Sequence, residues 1–522
     1  HRVIIIMEDP FSCFGSDSED NDGSAGSPVA TKRPPPRKSS PVPVLVHAGT
    51  VASSPPPRSA PAPPPLAPNL LFSSDPDLSR SLRPLYVGPV SVRTFSPDSG
   101  MGGLRGYAAA RDLDPGTLLL VERPLLTWDV DGGDGAAGHG DDGGANNWDR
   151  MWETLRAEIR GGGERASKIV RSMAHLHPLP GTPLDGDARR EAAGRFGASV
   201  GALLEEDRAA PPAAPRSDDS LYRMLFALRY NGFPSGLYPH VSMFNHGEDA
   251  NCVKYPPGAG KWSEVRCTRF VARGDPLTIS YLPDIVSHGT RREYLLAHHH
   301  IDIGAAPHDG APGERRAALR ETETIHGILP VAGTDDAPTL SAAAALIESE
   351  LDALAGRIRV AAAADGRDVA ERLEDDAVEI VCGAAEALGN EEHVLLCRAY
   401  GLHVRAAEAL ALRVGPLPKN TLRRLAESLR RLLRAQTVLL GPDHPDVAAT
   451  FDGLSRCVGG MLGRCPGELF AIGVKEWKDA PAAARAEWEY RREVARIGGM
   501  YPRDVEERIA EYSKKFQEDV VS

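Results

Sequence analysis

Cysteine is sparse and dispersed in this 522-residue chain: seven thiols, at positions 13, 252, 267, 382, 397, 457 and 465, with no CxxC pair among them. That pattern signals neither a disulfide framework nor a thiolate zinc site, and reduced thiols in the nucleus and/or cytoplasm are expected. Long apolar runs are missing as well. No stretch reaches the roughly 18 apolar residues of a membrane-spanning helix, and "VIIIM" (3–7) is too short for a signal-peptide core. A soluble protein with no membrane partner is therefore expected. Positive charge is in deficit, with a formal net charge of −12. That balance argues against direct nucleic-acid binding and suits a basic partner such as a lysine-rich protein segment. The acidic start "MEDPFSCFGSDSEDND" lacks the arginine-rich amphipathic character of an organelle presequence. The first residue is His1, and Met7 is the expected start.

What is present is enough to bury a sizeable core. At 522 residues and 42% hydrophobic composition the chain has room for more than one domain. Residues 1–85 are rich in Pro and Ser ("KRPPPRKSSPVPV", "SSPPPRSAPAPPPLAP") and read as a disordered tail, because such composition buries too little apolar surface to offset chain entropy. Order is expected from about "PLYVGPVSVRTF". The segment "GLRGYAAARDLDPGTLLLVERPLL" (103–126) predicts two short strands joined by a turn at Asp114-Pro115-Gly116. An acidic glycine-rich stretch follows, then helical sequence from about Trp148 to Val200, so 131–220 reads as an insertion. From Ser220 a helix leads on, followed by strands in "SEVRCTRFVA" and "LTISYL" around a turn at Arg273-Gly274-Asp275. Beyond about residue 315 the composition shifts to Ala, Leu, Glu and Arg. There Leu422, Leu425, Leu429, Leu432 and Leu433 fall at helical steps. Residues 315–522 thus predict a helical array similar to tetratricopeptide (TPR) units. The fold class expected is α+β: a β-rich domain over 86–305 with a helical insertion, then an α-helical domain.

One stretch poses a sharper question. "GLYPHVSMFNHGEDANC" (236–252) sets Asn245 and His246 directly after an apolar run. Buried amides and imidazoles are costly unless hydrogen-bonded, so the pair either staples a loop or faces a ligand.

Its neighbours carry a resemblance. Gly103-Leu104-Arg105, Asn231-Gly232-Phe233, Gly236 to Pro239, Asn245 to Cys252, Leu277 to Tyr281, and Arg291-Arg292 with Leu295 occur in an order that resembles the SET-domain lysine methyltransferases, most of all their SET-and-MYND (SMYD) branch. The likeness covers roughly residues 85–130 and 221–303. It implies a SET fold, S-adenosyl-L-methionine as cofactor, and a protein substrate with an accessible lysine. It further implies that Asn231, Asn245 and His246 (the last largely through its main chain) bind the cofactor, with the Gly102, Gly103, Leu104 and Arg105 turn brought close to it and Ile301 against its adenine. Tyr281 matches the catalytic tyrosine, and Tyr238 is expected to line the lysine channel.

The departures from the family are equally specific. Glu248 stands where the family has a cysteine, and "HHHIDIG" (298–304) replaces a cysteine-rich segment, so the zinc site beside the active site is gone. Residues 131–220 hold no cysteine, so the MYND finger is missing too. No metal is expected. A harder site from His298, His299, His300, Asp302 and Glu248 is the alternative to a solvated loop. Two functions follow: an active protein-lysine N-methyltransferase, or a non-catalytic SET/helical scaffold for protein–protein interaction. The oligomeric state is not encoded legibly.

Overall fold

A computed structural model describes residues 70–96, 104–128, 143–209, 217–255, 262–282, 288–299, 301–303, 340–363, 366–388, 393–415, 417–502 and 504–521. Gly102, Gly103 and His300 lie outside them.

Residues 70–82, assigned above to the Pro/Ser-rich tail, carry structure. Leu71, Phe72 and Leu78 are buried, and the Phe72 ring meets those of His175 and His240 edge-on at 5.3 and 5.2 Å. The apolar triplet Leu70-Leu71-Phe72 closes the Pro/Ser stretch and provides what that stretch lacks, large side chains to bury. Asp75 then caps a short helix, α1 (Pro76–Ser81), by accepting from the backbone N–H groups of Asp77 and Leu78.

Ten short strands follow among the described residues. β1 (Tyr86–Val87), β4 (Leu118–Glu122), β9 (Ser263–Cys267) and β8 (Cys252–Tyr255) form a sheet in the order β1-β4-β9-β8, all antiparallel. β2 (Val90–Thr94) pairs with β3 (Arg105–Ala109), and β5 (Gly232–Phe233) with β6 (Gly236–Leu237). The expected pair across Asp114-Pro115-Gly116 exists as two strands, β3 and β4, yet they belong to different sheets. β4 finds its partners in β1 and β9 because its five residues are all buried and need a neighbour on each side.

Between the strands lie α2 (Gly143–Gly161), α3 (Gly163–Met173), α4 (Gly186–Ala209) and α5 (Asp218–Asn231). Trp152, Phe196 and Leu225 place these helices in the same hydrophobic cluster as Tyr107, Leu120 and Phe244 of the sheets. A capping box between Ser217 and Ser220 starts α5, and the strand β5 begins directly at its end. α6 (His288–His299) takes in His298 and His299, part of the run for which a solvated loop was one reading.

The C-terminal part is helical, as expected: α7 (Leu340–Ala363), α8 (Arg367–Leu388), α9 (Val394–Val414), α10 (Lys419–Leu439), α11 (Pro445–Arg464), α12 (Pro466–Ala471), α13 (Ala480–Met500) and α14 (Val505–Val521). Two buried clusters hold it, one from α7 to α10 and one centred on α10, α11 and α13. Among the described residues no helix is long and apolar enough to cross a membrane. Cys252, Cys267, Cys397, Cys457 and Cys465 are buried, and none of them is in a disulfide.

The chain's end returns to the first sheet. The Arg266 guanidinium, fully buried, donates to the carbonyls of Gly116 (3.1 Å) and Pro502 (3.0 Å), and the Tyr501 hydroxyl donates to the Cys267 carbonyl at 3.2 Å. Gly116 has φ +83°, and a Cβ there would lie 1.6 Å from the Met500 carbonyl oxygen. Gly116→Ala therefore combines left-handed strain of about 1–2 kcal/mol with an overlap that only backbone movement relieves. Urea denaturation is expected to show a loss of about 2 kcal/mol or more. A loss below about 0.5 kcal/mol would mean that this junction does not contribute to the folded state.

Candidate functional site

The site is built where residues 245–246 lie beside 278–279. β7 (Asn245–His246) and β10 (Thr278–Ile279) run parallel, Asn245 opposite Thr278 and His246 opposite Ile279, and the Gly247 N–H continues the ladder to the Ile279 carbonyl. Two-residue strands hold each other weakly, so side chains supplement them. Asn251 accepts from the Thr278 N–H (2.9 Å) and donates to the Pro276 carbonyl (2.9 Å). One amide thereby fixes the chain entering β10.

His246 is a staple. Its Nδ1 accepts from the Tyr281 N–H at 3.3 Å, which makes Nε2 the protonated nitrogen, and Nε2 donates to Glu248 Oε1 at 2.9 Å. Glu248 also faces Arg291, 3.7 Å from its Nη1, and the same nitrogen donates to Ser280 Oγ at 3.1 Å. The Arg291 side chain is completely buried. Thus the Glu248 carboxylate links an imidazole and a guanidinium, and α6 is tied to the β7–β10 pair by that charge. Sequence reasoning noted Arg291 only as part of an Arg-Arg pair; a buried arginine needs acceptors, and here Ser280 and the half-buried Glu248 provide them.

Asn245 is less committed. Its amide nitrogen makes one long bond, 3.4 Å, to the Arg105 carbonyl, and its oxygen accepts none among the described residues. Gly106 lets it come close: a Cβ at that position would be 2.4 Å from the Asn245 amide nitrogen. Asn231, buried at the end of α5, spends both amide hydrogens on the carbonyls of His177 (2.7 Å) and Ala227 (2.9 Å). Arg105 directs its guanidinium to the His175 carbonyl, while Leu104 is exposed.

Tyr281 follows β10. Its hydroxyl donates to the Phe244 carbonyl at 3.3 Å, and its ring lies 5.4 Å from that of His246 and 4.8 Å from that of His299. Burial pushes the phenol up to about 12, so it stays neutral at physiological pH. Ile301 packs with Leu282, Leu295 and Tyr281 in a small cluster. Tyr238, on the other side of the apolar run, is fully buried with its hydroxyl 3.1 Å from Ser235 Oγ. Tyr281, His246 and Asn245 are therefore brought together, and Ile301 packs on the Leu282–Leu295 cluster that Tyr281 also borders.

The alternative metal cluster does not form among the described residues. No three His, Cys, Asp or Glu side chains gather there; Asp302 accepts two bonds from Arg292, and His298 lies on Tyr294 with ring centroids 4.3 Å apart.

Glu122, at the end of β4, escaped the sequence reading. Its carboxylate is 4% exposed and accepts from the N–H groups of His240 (3.0 Å) and Val241 (2.8 Å), capping the single 3₁₀ turn Val241–Met243 that leads into Asn245. Burial pushes the acid up to about 8, against the pull of those two N–H groups and of Lys254. A charged residue closing a run of buried apolar ones was the available signal.

Comparison with known proteins adds little to this geometry. No protein-family model matches the chain, and no curated protein matches it in sequence. Among solved structures, one that is similar is the SET domain of LSMT bound to lysine and AdoHcy, with 13% identity over 64% of this chain and 88% of that chain, and a TM-score of 0.28. At that score the likeness carries no weight for this chain, whose functional reading rests on its own residues.

Proposed function

We propose that the chain is an S-adenosylmethionine-dependent protein-lysine N-methyltransferase of the SET type, with the helices after residue 340 as a TPR-like platform for its protein substrate. The observation that carries this reading is the parallel pairing of Asn245–His246 with Thr278–Ile279, because it sets the Tyr281 hydroxyl at the Phe244 carbonyl beside an uncommitted Asn245 amide. The donor set fits the amino-acid end of the cofactor: a half-buried amide with a free acceptor and only one long bond suits an ammonium and carboxylate. Asn231, with its donors spent, would contribute its oxygen. The cofactor supplies a sulfonium-bound methyl group.

The chain's own residues then have positioning work. Tyr281, held neutral, cannot serve as the base; its oxygen orients an incoming amine while its O–H keeps donating to the Phe244 carbonyl. Apolar surroundings favour a lysine that has already lost its proton. The Glu248–His246–Arg291 group fixes the Tyr281 backbone through His246, a role that a metal-held loop would otherwise fill.

Calorimetry with S-adenosylmethionine tests the reading. Saturable one-to-one binding is expected, and Asn245→Ala should weaken it by about 1–3 kcal/mol, the cost of leaving a buried partner unpaired. Absence of binding overturns the proposal. The scaffold reading is favoured by one observation, the internal use of Asn231's donors. It gains if the cofactor binds but no basic protein accepts a methyl group.

A further inference from the structure

Cys252 and Cys267 stand directly opposite each other in the β8–β9 ladder. The Thr268 N–H donates to the Asn251 carbonyl at 2.9 Å, whereas the Cys267 N–H and carbonyl both turn the other way, to Thr117 and Gly116. The two cysteines therefore share no backbone bond, which is the closer of the two antiparallel pairings, with Cα atoms about 4.5 Å apart. That separation falls at the short end of the span a disulfide bridges, about 4.4–6.8 Å. Burial, and after it a hydrogen bond with the Cys267 thiol, hold the Cys252 thiol well above its ordinary range. The side chains are thus already in contact.

Cys252 also has a way in and a way out. It lies on β8, the edge strand of its sheet, in the wall of a cleft of about 280 Å³ that Leu439 at the end of α10 also lines. On its other side the Cys252 S–H donates to Asn251 Oδ1 at 3.2 Å, the same oxygen that accepts from the Thr278 N–H at 2.9 Å. The Thr278 N–H acts on the Cys252 sulfur as well. Both contacts of this thiol converge on the start of β10.

We infer that Cys252 and Cys267 are a redox-modification site, oxidised to a disulfide by a hydroperoxide and coupled through Asn251 to β10. In the step, the Cys252 thiolate attacks one peroxide oxygen and the O–O bond breaks, its electron pair leaving on hydroxide. The Cys267 sulfur then displaces the hydroxyl from the resulting sulfenic acid and the S–S bond forms. Two electrons pass from the two sulfurs to the peroxide, and both thiol protons leave in two waters. Burial keeps the thiolate share of Cys252 small, so the reaction is slow at neutral pH and quickens with alkalinity. Once bonded to Cys267, the Cys252 sulfur has no proton to donate, and Asn251 Oδ1 loses one of the groups that hold it at the Thr278 N–H.

The fully reduced chain is treated with hydrogen peroxide, remaining thiols are blocked, and a digest made without reductant is mapped by mass spectrometry. Peptides linked through Cys252 and Cys267 are expected, and dithiothreitol should release them. In the same samples hydrogen exchange at Thr278 should quicken by about fivefold, the size of one lost hydrogen bond. Cys267→Ala, or Cys267→Ser if the first does not fold, keeps the Cys252–Asn251 bond and should show neither the link nor the faster exchange. No oxidation of Cys252, its oxidation to sulfinic acid without a link, or a disulfide to another cysteine overturns the inference. A link that leaves Thr278 exchange unchanged overturns the coupling to β10, as does faster exchange that persists in the Cys267 variant. Because the readout is backbone exchange, the outcome does not depend on the methyltransferase reading.

Discussion

Tyr281→Phe is expected to lower methyl transfer by about 10²-fold or more while leaving cofactor affinity close to that of the parent. Phe keeps the ring, and with it the packing against His246 and His299 at 5.4 and 4.8 Å. The backbone N–H that binds His246 Nδ1 is also untouched. Only the hydroxyl goes, along with its bond to the Phe244 carbonyl. A group that acts mainly when the amine and methyl are in line costs turnover and not binding when it is removed. Several kcal/mol of differential stabilisation is the usual size for one preorganised polar group. The comparison is made by single-turnover transfer to a lysine-containing protein, with calorimetry of the cofactor alongside. Equal rates for parent and variant would remove Tyr281 from the chemistry, and an equal fall in rate and affinity would make it a packing residue.

The sequence singled out Asn245 and His246 but not the wiring around them. Asn245 and His246 follow an apolar run and precede a turn, and that alone posed the choice between staple and ligand contact. The structure divides the pair: the His246 side chain is bonded on both nitrogens, whereas Asn245 keeps an acceptor free. No pattern could have shown this, since the partners are a backbone N–H 35 residues away and a carboxylate two residues on. β5, β6, β7 and β10 are two residues each, too short for alternation to appear. β3 and β4 were legible as strands, yet their assignment to separate sheets depends on β1, β2 and β9, which are set by the whole chain. The longer helices were easier, because Leu422, Leu425, Leu429 and Leu432 recur at helical spacing and are all buried in α10. α6 was missed: its histidines read as polar loop, while its burial rests on Leu295 and Arg291 meeting partners near Tyr281.

Glu122 provides the largest expected effect on stability. Its folded-state acidity is pushed up to about 8, against about 4.3 for an unfolded glutamate. Between those values the folded chain holds a proton that the unfolded chain has lost. Stability must therefore fall as pH rises, by about 1.4 kcal/mol per pH unit and by roughly 5 kcal/mol across the whole interval for this group alone. His240 works in the opposite sense. Burial pushes it down to about 3, so below about 6.5 the unfolded chain is the better proton acceptor and stability there rises with pH. The two trends oppose each other below about pH 6.5, and from there toward 8 Glu122 outweighs Lys254, which begins to offset it as the pH nears 8. Lys254, lowered to about 8, turns the curve upward again above that pH. Urea denaturation at half-unit steps from pH 6.5 to 8 is expected to show the falling limb in the parent and a nearly flat line in Glu122→Gln. The amide can accept from only one of the His240 and Val241 N–H groups and presents a donor to the other, so at pH 6.5 the variant starts about 1–3 kcal/mol below the parent. The two curves then converge toward pH 8, where the parent carboxylate bears its full desolvation cost. A parent curve that rises through this window would mean that Glu122 is ionised throughout, with the two N–H bonds outweighing burial; a variant that keeps the parent's slope would assign the titration to another group.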